Sequence, residues 1–451
     1  MKLPPPGGTA SQAPLSPPTQ AGPGPGAGLW TVSVPLGTAE LPDLVAAGAG
    51  AGRRLWSRSG LELLGIGEAM RMDMAPGWAS ATCTSAVATT LSGARHRGDA
   101  GAVSGPLAMG ALPYDPHRPG HLVVPALVLG RTGDRAWATL AGTGETQPDE
   151  RQAAEAVGHQ LEALAASCPP TAVPDGFELS TTMSHEDWRR LVATTVEAIH
   201  SGVASKVVLA RRVDVVANRP FALHSVLGRL AALYPSCFVF HMEGFVGASP
   251  ETLVRRHGPD VLSHPLAGTV ARSGDATADD AMLAALMVSA KDRHEHQVVV
   301  NYIADALAPL CSALDVPSSP SVMALRNVSH LGTPITGKLR PGHGEAHLPD
   351  ALELAARLQP TPAVGGEPTA AAMAWQQAHE GFDRGLYAGP VGWVDASGDG
   401  EWALGLRSAT VEGARASLYA GAGIVAGSDP DAELVETQLK LQALLAALVR
   451  P

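Results

Sequence analysis

The chain is poor in cysteine and in positive charge, and both shortages exclude classes of protein. Its four cysteines, Cys83, Cys168, Cys237 and Cys311, lie far apart and form no CxxC pair, so zinc and dithiol redox motifs are absent. The chain has 32 basic and 43 acidic residues, and its formal net charge is −11. Because no basic stripe is available to neutralise phosphates, we expect neither a nucleic-acid partner nor a membrane-surface partner.

Long apolar runs are also missing. No run of about 18 apolar residues predicts a membrane span, and the N-terminal residues contain one early lysine without the apolar stretch of a signal peptide. Together with the scattered cysteines, this favours a reducing cytoplasm. Apolar residues nevertheless make up 45% of the 451 residues, which is enough to form the core of one large domain or of two.

Composition divides the chain near residue 28. Residues 1–28 consist largely of Pro, Gly, Ser and Thr, which predicts a disordered tail. In residues 29–451, β-branched segments and helical patterns come in blocks, without an internal repeat. This predicts an α+β fold with mainly antiparallel sheets, and not a doubly wound parallel sheet. Helices are predicted at about 150–166, 184–202, 279–310, 349–358 and 430–448.

The last predicted helix carries a charged stripe beside its apolar stripe. Glu433, Glu436 and Lys440 follow one another at spacings of three and four, so they share one face. One interpretation is a solvated face with a single ion pair, worth about 0.3–0.5 kcal/mol. The other is a pocket wall that carries a metal-binding carboxylate and a cation.

The segment "SAKDRHEHQVVVNYI" places a carboxylate on a face that a helix normally buries. Glu295 shares that face with Val299 and Tyr302. It could be a surface residue paired with Lys291 at i,i+4. If it is buried it needs a partner, because an unpaired buried carboxylate is costly. Mg²⁺ typically takes one or two protein carboxylates, so Glu295 with Glu436 could hold it. The flanking histidines point to different sides and form no HExxH motif.

Three further segments have both a structural and a functional interpretation. Lys206 begins the apolar strand "KVVLA" and is either a strand-end lysine that reaches water or a general base. Glu251 follows a Ser-Pro turn and is either an edge carboxylate or a site residue. The segment "YAGAGIVAGSDP" matches neither GxGxxG nor a Walker loop, but its small residues would let backbone N–H groups approach an anion.

The order of these segments resembles that of the chorismate-utilising enzymes, and within them most closely the isochorismate synthases. The resemblance covers roughly residues 64–448 and excludes the tail. It rests on these motifs: "GALPYDPHRPGHLVVPALV", "SKVVLARR", "FVGASPETLV", "HPLAGTVAR", "KDRHEH", "HLGTPITG", "PTPAVGGEP", "GLYAGPVGWVD", "GEWALGLRSA" and "YAGAGIVAGSDPDAELVETQLKL".

The resemblance implies one large α+β catalytic domain at 29–451, with two packed, mostly antiparallel sheets, outer helices and a central cleft. It implies a Mg²⁺-dependent reaction in which water adds at C2 of chorismate and the C4 hydroxyl leaves. Lys206 would be the general base and Glu251 the general acid, which requires shifted pKa values at both. Glu295 and Glu436 would hold the metal, with Glu433 acting through a metal-bound water.

The resemblance also implies how the dianionic substrate is held in an acidic chain. Mg²⁺, Lys440 and Arg407 would supply local positive charge, with Lys440 near the ring carboxylate and Arg407 on the pyruvyl carboxylate. The remaining residues implied to line the substrate pocket are Gly268, Thr269, His330, Ala363, Tyr387, Gly421 and Gly423.

Three positions separate the chain from ammonia-using relatives. Anthranilate synthases typically carry Gln at Lys206 and Thr at Ala363, and aminodeoxychorismate synthases carry a nucleophilic Lys at Ala267. The chain also departs from the common pattern at Gln359, where His is frequent, and at Leu434, where Trp is frequent. Because these two residues would lie beside the site and not in it, the departures affect the expected packing around the site more than the expected reaction.

Two other functions remain open alternatives. Salicylate synthases share Lys206 and go on to eliminate pyruvate, but they usually carry Thr at Ala363 and lack "KDRHEH". A non-catalytic chorismate-binding module is the second alternative. The three positions favour water over ammonia, so no glutaminase subunit is expected, and we find no appended glutaminase domain in the chain. The resemblance favours a monomer or a weak dimer.

Overall fold

The computed structural model describes residues 28–101, 103–166, 172–341 and 347–449. The predicted tail lies outside these residues except for Gly28. Two single-turn 3₁₀ helices cover Thr38–Glu40 and Ala308–Leu310. The α-helices are α1 (Leu44–Ala47), α2 (Ala81–Ser92), α3 (Glu150–Ala166), α4 (His185–His200), α5 (Leu223–Leu233), α6 (Ala276–Val288), α7 (Ala290–Leu307), α8 (Ala351–Leu358), α9 (Thr369–His379) and α10 (Pro430–Val449).

The strands form two large sheets and one small sheet. In chain order they are β1 (Leu29–Leu36), β2 (Arg53–Arg58), β3 (Leu61–Ile66), β4 (Met70–Met74), β5 (Arg95–Arg97), β6 (Leu107–Ala111), β7 (Gly120–Val124), β8 (Leu127–Thr132), β9 (Arg135–Thr143), β10 (Phe177–Thr181), β11 (Lys206–Ala217), β12 (Phe238–Met242), β13 (Phe245–Ser249), β14 (Thr252–His257), β15 (Asp260–His264), β16 (Leu266–Ala271), β17 (Cys311–Asp315), β18 (Ser321–Ala324), β19 (Val328–Gly332), β20 (Ile335–Leu339), β21 (Gly366–Glu367), β22 (Pro390–Asp395), β23 (Gly400–Leu404), β24 (Ser408–Glu412) and β25 (Arg415–Ile424).

The largest sheet runs β10-β11-β25-β24-β13-β12-β2-β3-β8-β9-β1-β5, with β21 paired to β11. The second runs β17-β20-β15-β14-β23-β22-β6-β7-β4, and the third β16-β19-β18. Among the described strand pairs, β1 with β5 is parallel and the others are antiparallel. The prediction of an α+β fold with mainly antiparallel sheets is therefore confirmed. The three-stranded sheet was not predicted, because its strands are short and glycine interrupts their alternation.

The two large sheets pack face to face through large apolar side chains. Trp56 and Phe240 from the 13-stranded sheet meet Met109 and Trp393 from the nine-stranded sheet, and all four are buried. Burial on this scale contributes about 25 cal/mol per Å² of apolar surface removed from water. The packed sheets thus form a rigid support, and the strand ends and helices at one side of it form the cleft described below.

The helices predicted from capping signals lie close to the observed ones. The helix predicted at 150–166 is α3 with the same bounds. The side chain of Ser184 accepts a hydrogen bond from the backbone N–H of Asp187 and begins α4, and Asp429 accepts one from Ala432 at the start of α10. The prediction over 279–310 consists of two helices, because Ser289 ends α6 and its side chain caps α7. Helices α1, α2, α5 and α9 were not predicted.

None of the helices in the described ranges is both long enough and apolar enough to cross a bilayer.

Candidate active site

A cleft opens where strands of the 13-stranded and three-stranded sheets meet two helices. Its walls come from β11 and β25 of the 13-stranded sheet, from β16 and β19 of the three-stranded sheet, and from α7 and α10. Of the fourteen predicted site residues, twelve line this cleft: Glu251, Gly268, Thr269, Glu295, His330, Ala363, Tyr387, Arg407, Gly421, Gly423, Glu436 and Lys440. Lys206 and Glu433 lie directly behind its wall.

Lys206 is joined to the cleft through Glu295. Its Nζ lies 3.0 Å from Glu295 Oε1, and the two side chains are 1% and 13% exposed. The alternative that Lys206 reaches water is therefore wrong, and so is the alternative that Glu295 is a surface residue paired with Lys291. Burial by itself raises the pKa of Glu295, but the neighbouring ammonium groups of Lys206 and Lys440 outweigh it and leave that pKa lowered. Glu295 is thus an ionised carboxylate at the cleft wall.

Gly423 on β25 provides the space in which this carboxylate lies. A Cβ at Gly423 would stand 2.2 Å from Glu295 Oε1 and 3.0 Å from Lys206 Cε, and the first distance is far below any allowed contact. The small residue predicted to admit a substrate anion therefore also admits the Glu295 carboxylate.

We expect Gly423→Ala to lower kcat at least about 100-fold, because the new methyl group displaces the Glu295 carboxylate from its place beside Lys206. The matched control is Gly427→Ala, where a Cβ would meet no atom within 4 Å. Steady-state kinetics and thermal unfolding of both variants check this. Near-native turnover of Gly423→Ala would show that the position of Glu295 does not matter.

Helix α10 presents its charged stripe to the same cleft. Lys440 Nζ donates to Glu436 Oε1 at 2.6 Å and to the backbone carbonyl of Gly421 at 2.8 Å. Glu433 is 2% exposed and accepts from Lys291 Nζ at 2.9 Å. Burial and the nearby charge of Glu436 raise the pKa of Glu433. The interpretation of this stripe as a solvated face is therefore wrong for Glu433, whereas the i,i+4 ion pair of Glu436 with Lys440 is present.

Glu251 is the carboxyl group most strongly changed by its surroundings. It stands between β13 and β14, is 4% exposed, and accepts from the backbone N–H of Leu266 at 3.4 Å. Burial raises its pKa from 4.5 to about 8, against the opposing charges of Lys206, Lys440 and Arg407. A carboxyl group with this pKa is protonated near neutral pH and can donate a proton to a leaving group.

The raised pKa of Glu251 predicts a pH dependence of both activity and stability. Below about pH 8 the folded protein keeps the acid protonated, so we expect kcat/KM to fall about tenfold per pH unit above that value. The unfolded chain releases this proton near pH 4.5. Between pH 4.5 and 8 the folded state therefore binds more protons, and the free energy of unfolding falls as pH rises.

Glu251→Gln removes this titration and is the variant that checks it. Urea unfolding of the wild type and of Glu251→Gln at several pH values should show the wild type losing stability relative to the variant from pH 5 to 8. A difference that does not change with pH would contradict the raised pKa.

A neutral histidine, His330 on β19, links this strand to β16 at the back of the cleft. Arg407 donates from Nη2 to His330 Nε2 at 3.0 Å, and because Arg407 has no acceptor, this nitrogen carries no proton. His330 Nδ1 therefore donates, towards Gly268 O at 3.2 Å and Thr269 Oγ1 at 3.1 Å. Burial and the charges of Arg407 and Lys440 hold the pKa of His330 well below its usual value. The chain of contacts fixes the Arg407 guanidinium in the cleft.

An aromatic pair forms the opposite part of the cleft. Tyr387 stacks on Tyr419 with ring centroids 5.1 Å apart, and burial raises the pKa of Tyr387 to about 12. The Tyr387 hydroxyl is therefore a permanent donor, suited to a carboxylate. A Cβ at Gly421 would lie 3.0 Å from this oxygen, so glycine keeps the hydroxyl accessible.

Sequence reasoning missed a buried cation beneath the cleft. Arg384 lines the cavity, pairs with Glu380 and donates to the backbone carbonyls of Val208 and Val364 at 2.7 and 2.8 Å. It thereby ties β11, which carries Lys206, to the loop that carries Ala363. The spacing of Glu380 and Arg384 at i,i+4 was the signal that could have indicated it.

The donor set of the cleft fits a magnesium ion. Glu295 and Glu436 both present carboxylate oxygens to the cavity, and hard oxygen ligands are those that Mg²⁺ prefers. In the described part of the chain no group of three or more His, Cys, Asp or Glu side chains is arranged to hold a metal.

Comparisons with known proteins identify the family of the chain. The sequence profile of the family described as chorismate binding enzyme matches residues 32–449. The isochorismate synthase DhbC of Bacillus subtilis is 36% identical over 378 residues, which cover 81% of this chain and 86% of that protein. The putative isochorismate synthase MenF of Mycobacterium tuberculosis is 39% identical over 356 residues, which cover 76% of this chain and 86% of that protein.

A solved structure shows the same fold. The menaquinone-specific isochorismate synthase MenF from Escherichia coli superposes with a TM-score of 0.76 at 27% identity, over 94% of this chain and 95% of that one. The profile match spans most of the chain, and the relatives are similar along most of their own length. The chain therefore belongs to the chorismate binding enzyme family.

Proposed function

We propose that the protein is an isochorismate synthase that interconverts chorismate and isochorismate with Mg²⁺ as cofactor. Water adds at C2 of the ring, the ring double bonds shift, and the C4 hydroxyl leaves as water after it takes up a proton. Relatives named isochorismate synthases support this activity. The single observation that carries the proposal is Glu251, a buried carboxyl group with a pKa raised to about 8 at the wall of a cleft that Arg407 and Lys440 also line.

Each polar residue then has one task. Glu251 donates the proton that the departing C4 hydroxyl needs. Lys206 first has to lose its ammonium proton, and as the neutral amine it then accepts a proton from the attacking water. Arg407 and the Tyr387 hydroxyl bind the pyruvyl carboxylate, and Lys440 approaches the ring carboxylate. These contacts fix the ring between acid and base, and orientation of this kind contributes several kcal/mol to catalysis.

Glu295 and Glu436 are the residues that would hold Mg²⁺, with Glu433 nearby. The ion would neutralise and orient the ring carboxylate of a substrate that carries two negative charges. Because Glu295 and Glu436 each pair with a lysine in this structure, those lysines would exchange partners when metal and substrate bind.

The apolar positions of the cleft support water as the nucleophile. Ala267 and Ala363 lie at its wall, so neither a lysine amine nor a threonine hydroxyl stands where ammonia-using or lyase relatives carry one. Lys206, in contrast, is retained. Elimination of pyruvate, the salicylate synthase reaction, is therefore the second candidate function.

Product analysis tests the proposal. Purified protein is incubated with chorismate and Mg²⁺, and products are separated by chromatography, with an EDTA control and the Glu251→Gln variant. Isochorismate that approaches a fixed ratio to chorismate, and is lost with EDTA, is the expected result. Salicylate with pyruvate would identify a salicylate synthase, and no product would favour a non-catalytic chorismate-binding protein. Size-exclusion chromatography of the same sample tests the expected monomer.

A further inference from the structure

Lys291 is a cation beside the candidate metal site that does not line the cleft and that the proposed reaction does not use. It lies one turn before Glu295 on α7, and its Nζ donates to Glu433 Oε1 at 2.9 Å. Glu433 in turn lies one turn before Glu436 on α10. The pair of Lys291 and Glu433 therefore bridges the two helices that carry the carboxylates of the candidate metal site.

The burial of the two partners is unequal. The Glu433 side chain is 2% exposed and that of Lys291 is 37% exposed. A buried carboxylate without a partner is costly, whereas its cation is free to reach water. Lys291 is therefore the cation that balances Glu433, whose other neighbours are the hydrogen-bonding side chain of Ser428 and the like charge of Glu436. If Lys291 were absent, a divalent cation beside Glu436 would be the nearest replacement.

The carboxylates around the candidate metal site are already paired before any ion enters. Three carboxylates each pair with one lysine: Glu295 with Lys206, Glu436 with Lys440, and Glu433 with Lys291. The proposed reaction gives tasks in substrate conversion to the first two lysines. Lys291 differs because its ammonium also interacts with Glu295 and Glu436, so its positive charge acts on every carboxylate that could hold the metal.

We propose, on the basis of the proposed function, that Lys291 is a built-in competitor of the metal ion. It keeps Glu433 in an ion pair and out of the inner coordination sphere of Mg²⁺, and it weakens metal binding by repulsion. A two-carboxylate site keeps positions open for the ring carboxylate and water. A three-carboxylate site would bind the metal more tightly and leave less room for substrate.

Lys291→Gln tests this, because glutamine still donates a hydrogen bond to Glu433 but carries no charge. Calorimetry with Mg²⁺ at pH 8, without substrate, should show at least about fivefold tighter binding than in the wild type. KM for chorismate should rise at the same time. Arg293→Gln is the matched control, since Arg293 is exposed on the same helix and its loss should leave both values unchanged.

Two further variants show whether a change in Mg²⁺ affinity comes from the charge of Lys291 or from a change in the fold. Lys291→Arg keeps the charge and should bind Mg²⁺ as the wild type does. The double variant Lys291→Gln with Glu433→Gln removes the third carboxylate, and its metal affinity should return to within about twofold of the wild type. Unchanged or weaker Mg²⁺ binding by natively folded Lys291→Gln would overturn the role of Lys291.

The wild-type titration distinguishes this failure from failure of the proposed function. Wild-type binding of Mg²⁺ that Glu295→Ala abolishes supports the metal site itself. If the wild type binds Mg²⁺ there and Lys291→Gln does not differ from it, only the inference about Lys291 is wrong. If the wild type shows no such binding, the magnesium site of the proposed function is wrong as well.

Discussion

Replacement of Lys206 by alanine is expected to lower the rate of isochorismate formation by at least about 10³-fold, the upper part of the range for loss of a general base. Lys206 is 1% exposed and reaches the cleft only beside Glu295, so solvent cannot supply a base in its place. Chorismate binding should persist, because the carboxylate-binding groups Arg407 and Tyr387 are untouched. Stopped product assays and calorimetry measure the two effects separately.

Lys206→Gln refines the same test. Glutamine can still hydrogen-bond to Glu295 and fill the space, but it accepts no proton from water, so this variant should be as inactive as Lys206→Ala. Lys338→Ala is the matched control, since Lys338 is exposed and pairs with Asp260 at the surface. Turnover by Lys206→Gln close to that of the wild type would remove Lys206 from the role of base.

Removal of either carboxylate of the proposed magnesium site is the second large effect. We expect Glu295→Ala and Glu436→Ala each to lose Mg²⁺-dependent activity by at least about 10³-fold, because each removes one of the two proposed carboxylate ligands of the ion. Each variant also frees a lysine, Lys206 or Lys440, from its ion pair. Calorimetry with Mg²⁺ should show binding weakened beyond detection in both.

The control for these variants is Glu412→Ala, which removes an exposed carboxylate at the end of β24. It should keep native activity and native metal affinity. Normal Mg²⁺ binding in both Glu295→Ala and Glu436→Ala would mean that the metal assignment is wrong, even if both variants had lost activity.

Local chemistry explains which elements could be predicted. Helix α10 begins at Asp429 and Pro430 and carries a long apolar stripe, so its position followed from short-range signals. Helix α2 was missed although Ser80 caps it, because its small and β-branched residues have no clear helical period. The break at Ser289 between α6 and α7 is a cap inside one continuous helical pattern, and sequence spacing does not distinguish a cap from a helix interior there.

Charge pairing across elements could not be predicted in the same way. Spacing within α7 suggested that Lys291 pairs with Glu295, and this was wrong. Glu295 pairs with Lys206 from β11, and Lys291 pairs with Glu433 from α10. An i,i+4 pair at the surface is worth a few tenths of a kcal/mol, whereas a buried carboxylate without a partner costs several times more, so burial decided the pairing.

The sequence by itself determined the α+β class, the helices with clear caps and, through the ordered motifs, the family and the residue types of the cleft. Tertiary structure alone decided that Glu251 is buried enough for a pKa of about 8, that Gly423 makes room for Glu295, and which lysine balances which carboxylate. The physical reason is that capping and periodicity act over a few residues. Desolvation and ion pairing depend on elements that lie about a hundred residues apart in the chain and meet only when the sheets and helices pack.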